Sequence, residues 1–325
     1  MNKQMPFVRL LLVVLLASSS TAVFAENKMW KLLNDMNHAL ETGNYQGTFV
    51  FIHDGIVEAM QIVHGYSDYG VREKLVSLTG DAREVIRDKD VLTCIWPKDR
   101  LVVIETARAG HGLPSALLEN LEQLALRYKL KESGSSRIAG FSCKIVRFEP
   151  LDAYRYGHEL CINTKFGMLL KSRTFDVEGE TIESMMFTSF RLLEDVPDSM
   201  FEYSASLKDY TWKTAGPGLN GEMQPDRAWK IRNLPPGFSL SSVTRRLMSA
   251  SKNPVQHIVL TDGLASVSVF ISKVDDPKHI YQGAHNRGVI NAYARDLNRH
   301  QITVIGEVPK NTVKSIGESV FYSSQ

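Results

Sequence analysis

The sequence predicts an α+β protein in two parts, a long antiparallel sheet carrying two helices followed by a smaller α+β domain. Three observations carry that prediction. Residues Asn44 to Val63 read as two strands around Asp54-Gly55, a pair that supplies the positive φ angles of a tight hairpin turn. Short apolar-rich runs separated by Gly, Asp and Pro then recur along the chain, as in an antiparallel meander. Residues 206–225, with Gly216-Pro217-Gly218 and Asn220-Gly221, break the pattern and read as a linker between domains 26–205 and 226–325.

The elements follow in order. Residues 1–25 read as an export signal, with Lys3 and Arg9 ahead of the apolar run Leu10 to Ala17 and small residues at Val23 and Ala25. Cleavage after Ala25 leaves Glu26 first, so no cysteine is placed to take a lipid anchor. Met29, Trp30, Leu32, Leu33, Met36, Ala39 and Leu40 recur at helical spacing and predict an amphipathic helix over 27–41, ended by Gly43. In the hairpin, the Asp54-Gly55 turn sets Phe49 opposite Met60, Phe51 opposite Glu58 and His53 opposite Ile56. Val50, Ile52, Val57, Ala59 and Val63 then point to the other face. Both faces are apolar, which predicts a sheet covered on one side and wrapped around apolar contents on the other.

Strands are predicted over 69–78, 83–87, 91–96 and 100–105. A second helix is predicted over 113–128, with Leu117 and Leu121 in its apolar stripe, and further strands over 141–148, 156–163, 168–175 and 181–193. After the linker, strands are expected at 229–232, 256–261, 265–273, 289–295 and 301–307, with a last helix over 310–320 behind Pro309.

Charge is distributed unevenly. Residues 26–225 hold 23 Lys and Arg against 29 Asp and Glu, a net of −6, whereas residues 226–325 hold 13 against 7, a net of +6. Two domains of opposite sign attract each other or meet different partners. Of the three cysteines, Cys143 and Cys161 flank a loop centred near Asp152. They form a candidate cross-strand disulfide, or else all three, Cys94 included, are small buried apolar residues.

The search for chemistry finds none. Gly216, Gly218 and Gly221 match G-x-G-x-x-G, but Pro217 sits in the turn and neither strand nor helix flanks it. No pair of histidines has metal-ligand spacing, and no Cys-x-x-Cys occurs. Glu119 and Glu122 share the wet face of a helix, where nothing raises either pKa. No enzymatic activity, cofactor, metal or nucleic-acid partner is predicted. What remains is apolar surface. Phe49, Phe51, Met60, Met185, Met186, Phe187 and Phe190 lie on candidate sheet faces, and two readings stand: a packed core, or a concavity for acyl chains. Arg245 and Arg246, beside Lys252, are either a docking patch in the basic domain or a solvated turn.

The order of segments NYQGTFVF, REKLVSLTGDAREVIRD, RIAGFSCKIVRFEPLDAYRYGHELCINTKFGMLLKSRTFD, the PPGF turn, TDGLASVSVFI and ITVIGEVP resembles the MucB/RseB family across the whole mature chain. The resemblance implies a periplasmic, non-enzymatic regulator of an envelope-stress sigma factor. It implies a large domain similar to LolA and LolB, an unclosed β-barrel with helices on its concave side. The partner implied is the periplasmic segment of a membrane-spanning anti-sigma factor, RseA- or MucA-like, which binding shields from proteolysis. Lipopolysaccharide or another acyl lipid is the implied releasing signal, and the family is described as oligomeric. On that reading the lipid-cavity candidates are Phe49, Phe51, Met60, Leu117, Leu121, Met185 and Phe187, and the anti-sigma docking candidates are Arg245, Arg246 and Lys252. The alternative is a periplasmic lipid or lipoprotein carrier using the same cavity.

Overall fold

A computed structural model describes residues 28–106, 124–215, 223–247, 253–275 and 281–323. The export signal, most of the second predicted helix, the Gly-rich tripeptide of the linker, Leu117, Leu121 and Lys252 lie outside these residues. Helix α1 spans 28–42, as its apolar spacing predicts, and Gly43 follows it.

Twelve strands form one sheet: β1 (Tyr45–His53), β2 (Ile56–Ser67), β3 (Gly70–Ser77), β4 (Glu84–Asp88), β5 (Val91–Trp96), β6 (Leu101–Thr106), β7 (Tyr128–Ile138), β8 (Phe141–Pro150), β9 (Gly157–Asn163), β10 (Leu169–Phe175), β11 (Thr181–Leu192) and β12 (Thr211–Ala215). The order is β12-β6-β5-β4-β3-β2-β1-β11-β10-β9-β8-β7. The sheet does not close, and β12 and β7 are its edges. The hairpin register is the one the Asp54-Gly55 turn dictates, with Phe49 opposite Met60, Phe51 opposite Glu58 and His53 opposite Ile56. Asp54 and Gly55 both have positive φ, 49° and 73°.

One face of this sheet, here the inner face, carries α1. Leu33, Met36 and Leu40 share a buried cluster with Tyr45, Phe49 and Phe187. Each fully buried side chain of this size contributes about 1.5–3 kcal/mol of hydrophobic stabilisation, so α1 is held by packing rather than by propensity. Cys143 and Cys161 are joined by a disulfide with a Cα–Cα distance of 5.4 Å. The two are not opposite one another: Cys143 pairs with Asn163 and Cys161 with Ile145, so the bond runs diagonally between β8 and β9.

The outer face is covered only in part. Residues 194–210 run across it as a strap, and Leu207 and Tyr210 pack on Ile86, Ile95 and Val102. Arg72 donates to Asp198 at 2.6 Å, and its guanidinium lies 4.4 Å from the Phe201 ring centroid. The hairpin tip stays outside the strap, leaving Ile52 40% and Val57 57% exposed. The expectation of a fully covered second face therefore fails at the tip. The linker reading also changes. Thr211–Ala215 is a strand, parallel to β6, so this stretch belongs to the large sheet.

The remainder forms β13 (Trp229–Ile231), β14 (Ser239–Leu247), β15 (Pro254–Thr261), β16 (Ser266–Lys273), β17 (Gly283–Arg287), β18 (Ile290–Leu297), β19 (His300–Gly306), helix α2 (Lys310–Ser319) and β20 (Val320–Tyr322). Six strands make a second sheet in the order β14-β15-β16-β19-β18-β17, and β13 pairs with β20. Val313 and Ile316 of α2 are fully buried in this core with Val269 and Val304. Gly317 permits the approach, because a Cβ there would lie 2.5 Å from the Tyr293 ring. The protein is α+β, with an unclosed sheet in its larger part.

Candidate functional site

The inner face is built by strand alternation. Phe49, Met60, Met185 and Phe187 converge in the main cluster, each no more than 6% exposed. Phe49 and Phe187 meet edge to face with centroids 5.7 Å apart. Phe51 is half-buried, 5.1 Å from the His53 ring. The structure thus brings together five of the seven candidates and packs four of them against one another and α1.

Apolar surface that is only half-buried continues farther along the same face. The register runs Ile62, Leu75, Val85, Cys94, Val103 across β2 to β6. Leu92, Trp96 and Leu101 flank it, and all from Leu75 onward are half-buried. Alternation in these strands contained this signal, but it was masked because Ile86, Ile95 and Val102 make the other face apolar too. The Cys94 thiol is pushed up by burial and by Glu105, which favours an inert neutral thiol. A separate hollow of about 890 Å³ lies on the outer face, between the strap residues Phe201 and Leu207 and the sheet residues Arg72, Ile86 and Val91.

Arg245 and Arg246 lie in β14, half-buried, and pair with Gln256 and Val255. They are not in a turn. Successive strand residues leave opposite faces, so the two guanidinium groups do not form one patch. Met223 donates its N–H to the Arg245 carbonyl at 2.9 Å, which covers part of this edge.

The seam between the two sheets holds side chains that sequence reasoning passed over. Arg155 is fully buried. Its Nη1 donates to Asp262 Oδ2 at 2.5 Å, its Nε to Asp152 Oδ1 at 3.0 Å and its Nη2 to the Pro236 carbonyl at 2.6 Å. Asp262 in turn accepts the Leu264 and Ala265 N–H groups through Oδ1. Asn291 donates to Tyr156 Oη at 2.8 Å, Thr312 to the Tyr154 carbonyl at 2.8 Å, and the Gly288 N–H to Asp54 at 2.9 Å. The turns Pro235-Pro236-Gly237 and Asp262-Gly263 are legible in the sequence as turns. Nothing local says that they dock on the other domain.

Several titratable groups are shifted. Glu183 is raised to about 7, mainly by burial and secondarily by Glu307. His158 is lowered to about 4 by burial. His64 is lowered by burial too, and it stacks on Tyr45 at 4.8 Å while Nδ1 donates to the Gly43 carbonyl at 2.6 Å. These are core histidines with defined neighbours. Among the described residues no group of His, Cys, Asp and Glu is placed to hold a metal ion, and no helix is long and apolar enough to cross a membrane.

Residues 28–205 match the MucB/RseB N-terminal domain family, and residues 223–321 match the MucB/RseB C-terminal domain family. The sigma factor AlgU regulatory protein MucB of Pseudomonas aeruginosa is 30% identical over 321 residues, spanning 96% of this chain and 95% of its own. The sigma-E factor regulatory protein RseB of Haemophilus influenzae is 26% identical over 322 residues, spanning 98% of this chain and 99% of its own. A chain of the Pseudomonas aeruginosa MucA/MucB complex superposes with a TM-score of 0.71 at 25% identity, over 91% of this chain and 99% of that one. A crystal structure of MucB superposes with a TM-score of 0.61 at 27% identity, over 90% of this chain and 97% of that one. With both domain families matched in order and the unclosed sheet in place, the chain belongs to the MucB/RseB family of sigma-factor regulatory proteins.

Proposed function

We propose that this protein acts in the periplasm as a negative regulator of an envelope-stress sigma factor. It binds the periplasmic segment of a membrane-spanning anti-sigma factor, shields that segment from proteolysis and is released by an acyl lipid such as lipopolysaccharide. The observation that carries this reading is the full-length likeness to MucB, whose solved structures include a complex with the periplasmic part of MucA. The basic domain supports an acidic peptide partner, since it carries a net +6. The half-buried apolar row from Leu75 to Val103 supports acyl-chain entry on the inner face, where part of the surface is not yet sealed by packing. A lipid displaces the peptide only if it favours an arrangement that the peptide does not.

The test is a binding titration of residues 26–325 against the periplasmic segment of the host anti-sigma factor, with and without purified lipopolysaccharide. Binding that lipopolysaccharide competes away is the expected result. No binding at any salt concentration would leave the lipid carrier as the better reading.

A further inference from the structure

The seam between the two domains has a buried, charged centre. Arg155 and Asp262 both have fully buried side chains and face one another from different domains. Every guanidinium nitrogen has an acceptor: one from its own domain, Asp152, and two from the other, Asp262 and the Pro236 carbonyl. The Arg155 guanidinium lies between the rings of Tyr128, 5.9 Å away, and Phe238, 5.5 Å away. Two turns of the C-terminal domain make the clasp. Leu264, in the turn after β15, packs on the main cluster of the large domain. Gly237 has φ +86° and takes Arg127 so closely that a Cβ would lie 2.2 Å from Nε.

We propose that Arg155 and Asp262 form an interdomain latch that sets how the two domains are placed, and that Arg155 is thereby a positioning residue for a peptide partner spanning both. The proposal rests on the anti-sigma reading above for the identity of that partner. A buried ion pair adds little net stability, because opening the seam rehydrates both charges, but it tolerates only one arrangement while the seam is shut. That combination suits a switch: the pair defines the placement while itself adding little to the stability of the closed form. A second observation points the same way. The Tyr128 hydroxyl is buried and has no hydrogen-bond partner among the described residues, a cost that opening to water relieves.

The test uses the mature chain, residues 26–325, with small-angle X-ray scattering and affinity for the periplasmic anti-sigma segment measured on the same samples. Asp262→Asn keeps the shape and the turn-capping oxygen but removes the charge. The double variant Arg155→Met with Asp262→Asn removes both charges and keeps the oxygen that caps the Leu264 and Ala265 N–H groups, so no buried charge is left without its partner across the seam. Both are expected to lengthen the maximum dimension and to weaken binding about tenfold, while a cooperative thermal melt of the double variant shows that each domain is still folded. Scattering and affinity unchanged in both variants would overturn the latch. Changed scattering with unchanged affinity would overturn the claim that the partner spans the domains. If the natural protein binds no segment at all, the anti-sigma reading fails, while scattering still decides the latch.

Discussion

At the residue scale, burial decides what each titratable group can do. Glu183 has a folded-state pKa near 7, against 4.5 for a free glutamate. Below pH 4.5 both states hold the proton and the full contribution is present. As pH rises, the unfolded chain gives up its proton first, so stability is lost between about pH 4.5 and 7. His158 runs the other way: with a folded pKa near 4, it costs stability as pH falls below 6.5. The two slopes oppose one another. Glu183→Gln is therefore expected to stabilise the protein at neutral pH and to leave a steeper loss on acidification, measured by urea midpoints from pH 4 to 8. Gly317 poses a second contest. Alanine in a helix interior gains up to about 1 kcal/mol over glycine. A Cβ here would sit 2.5 Å from the Tyr293 ring, and overpacking costs about 1–3 kcal/mol. Packing wins, and Gly317→Ala is expected to lower the melting temperature.

At the element scale, four of the strands that sequence pattern misses share one property. β7, β12, β14 and β17 are the edges of the two larger sheets. YKLKESGSSRI, TWKTA, SLSSVTRRL and GAHNR carry few paired apolar residues, because an edge strand buries little and is protected by polar side chains. Interior strands were legible because they must be apolar at fixed alternation. β7 even spans Gly134, with a register shift between Glu132 and Ser135. Of the four, only β12 has a neighbour distant in the chain, β6; β7, β14 and β17 each pair with the strand that follows them. The disulfide belongs to this scale as well. It ties β8 to β9 across 18 residues, so replacing both cysteines by serine is expected to cost about 3 kcal/mol, read as a lower denaturant midpoint with an unchanged inner-face packing signal in near-ultraviolet circular dichroism.

At the scale of the whole molecule, charge and the seam matter together. Because Arg245 and Arg246 leave opposite faces of β14, reversing them one at a time should give unequal effects on anti-sigma binding. The effective reversal should also flatten the salt dependence. Equal effects would place the partner around the edge of β14 rather than on one face. An acidic first domain facing a basic second one agrees with the clasp at Arg155 and Asp262, although within that clasp the signs are reversed: the cation comes from the acidic domain and the anion from the basic one. Overall charge draws the domains together, and the local pair decides how they sit.

By itself the sequence determined the α+β class, the hairpin and its register, α1, the interior strands of both sheets and the family. All of these follow from short-range periodicity, turn chemistry or segment order. Only the tertiary structure decided the sheet edges, the strap, the diagonal disulfide and the seam. Arg155 and Asp262 are 107 residues apart, and each looks like an ordinary surface charge in its own neighbourhood. Their burial is a property of two domains meeting, and no local pattern encodes a contact whose two halves are stabilised only once both domains have folded.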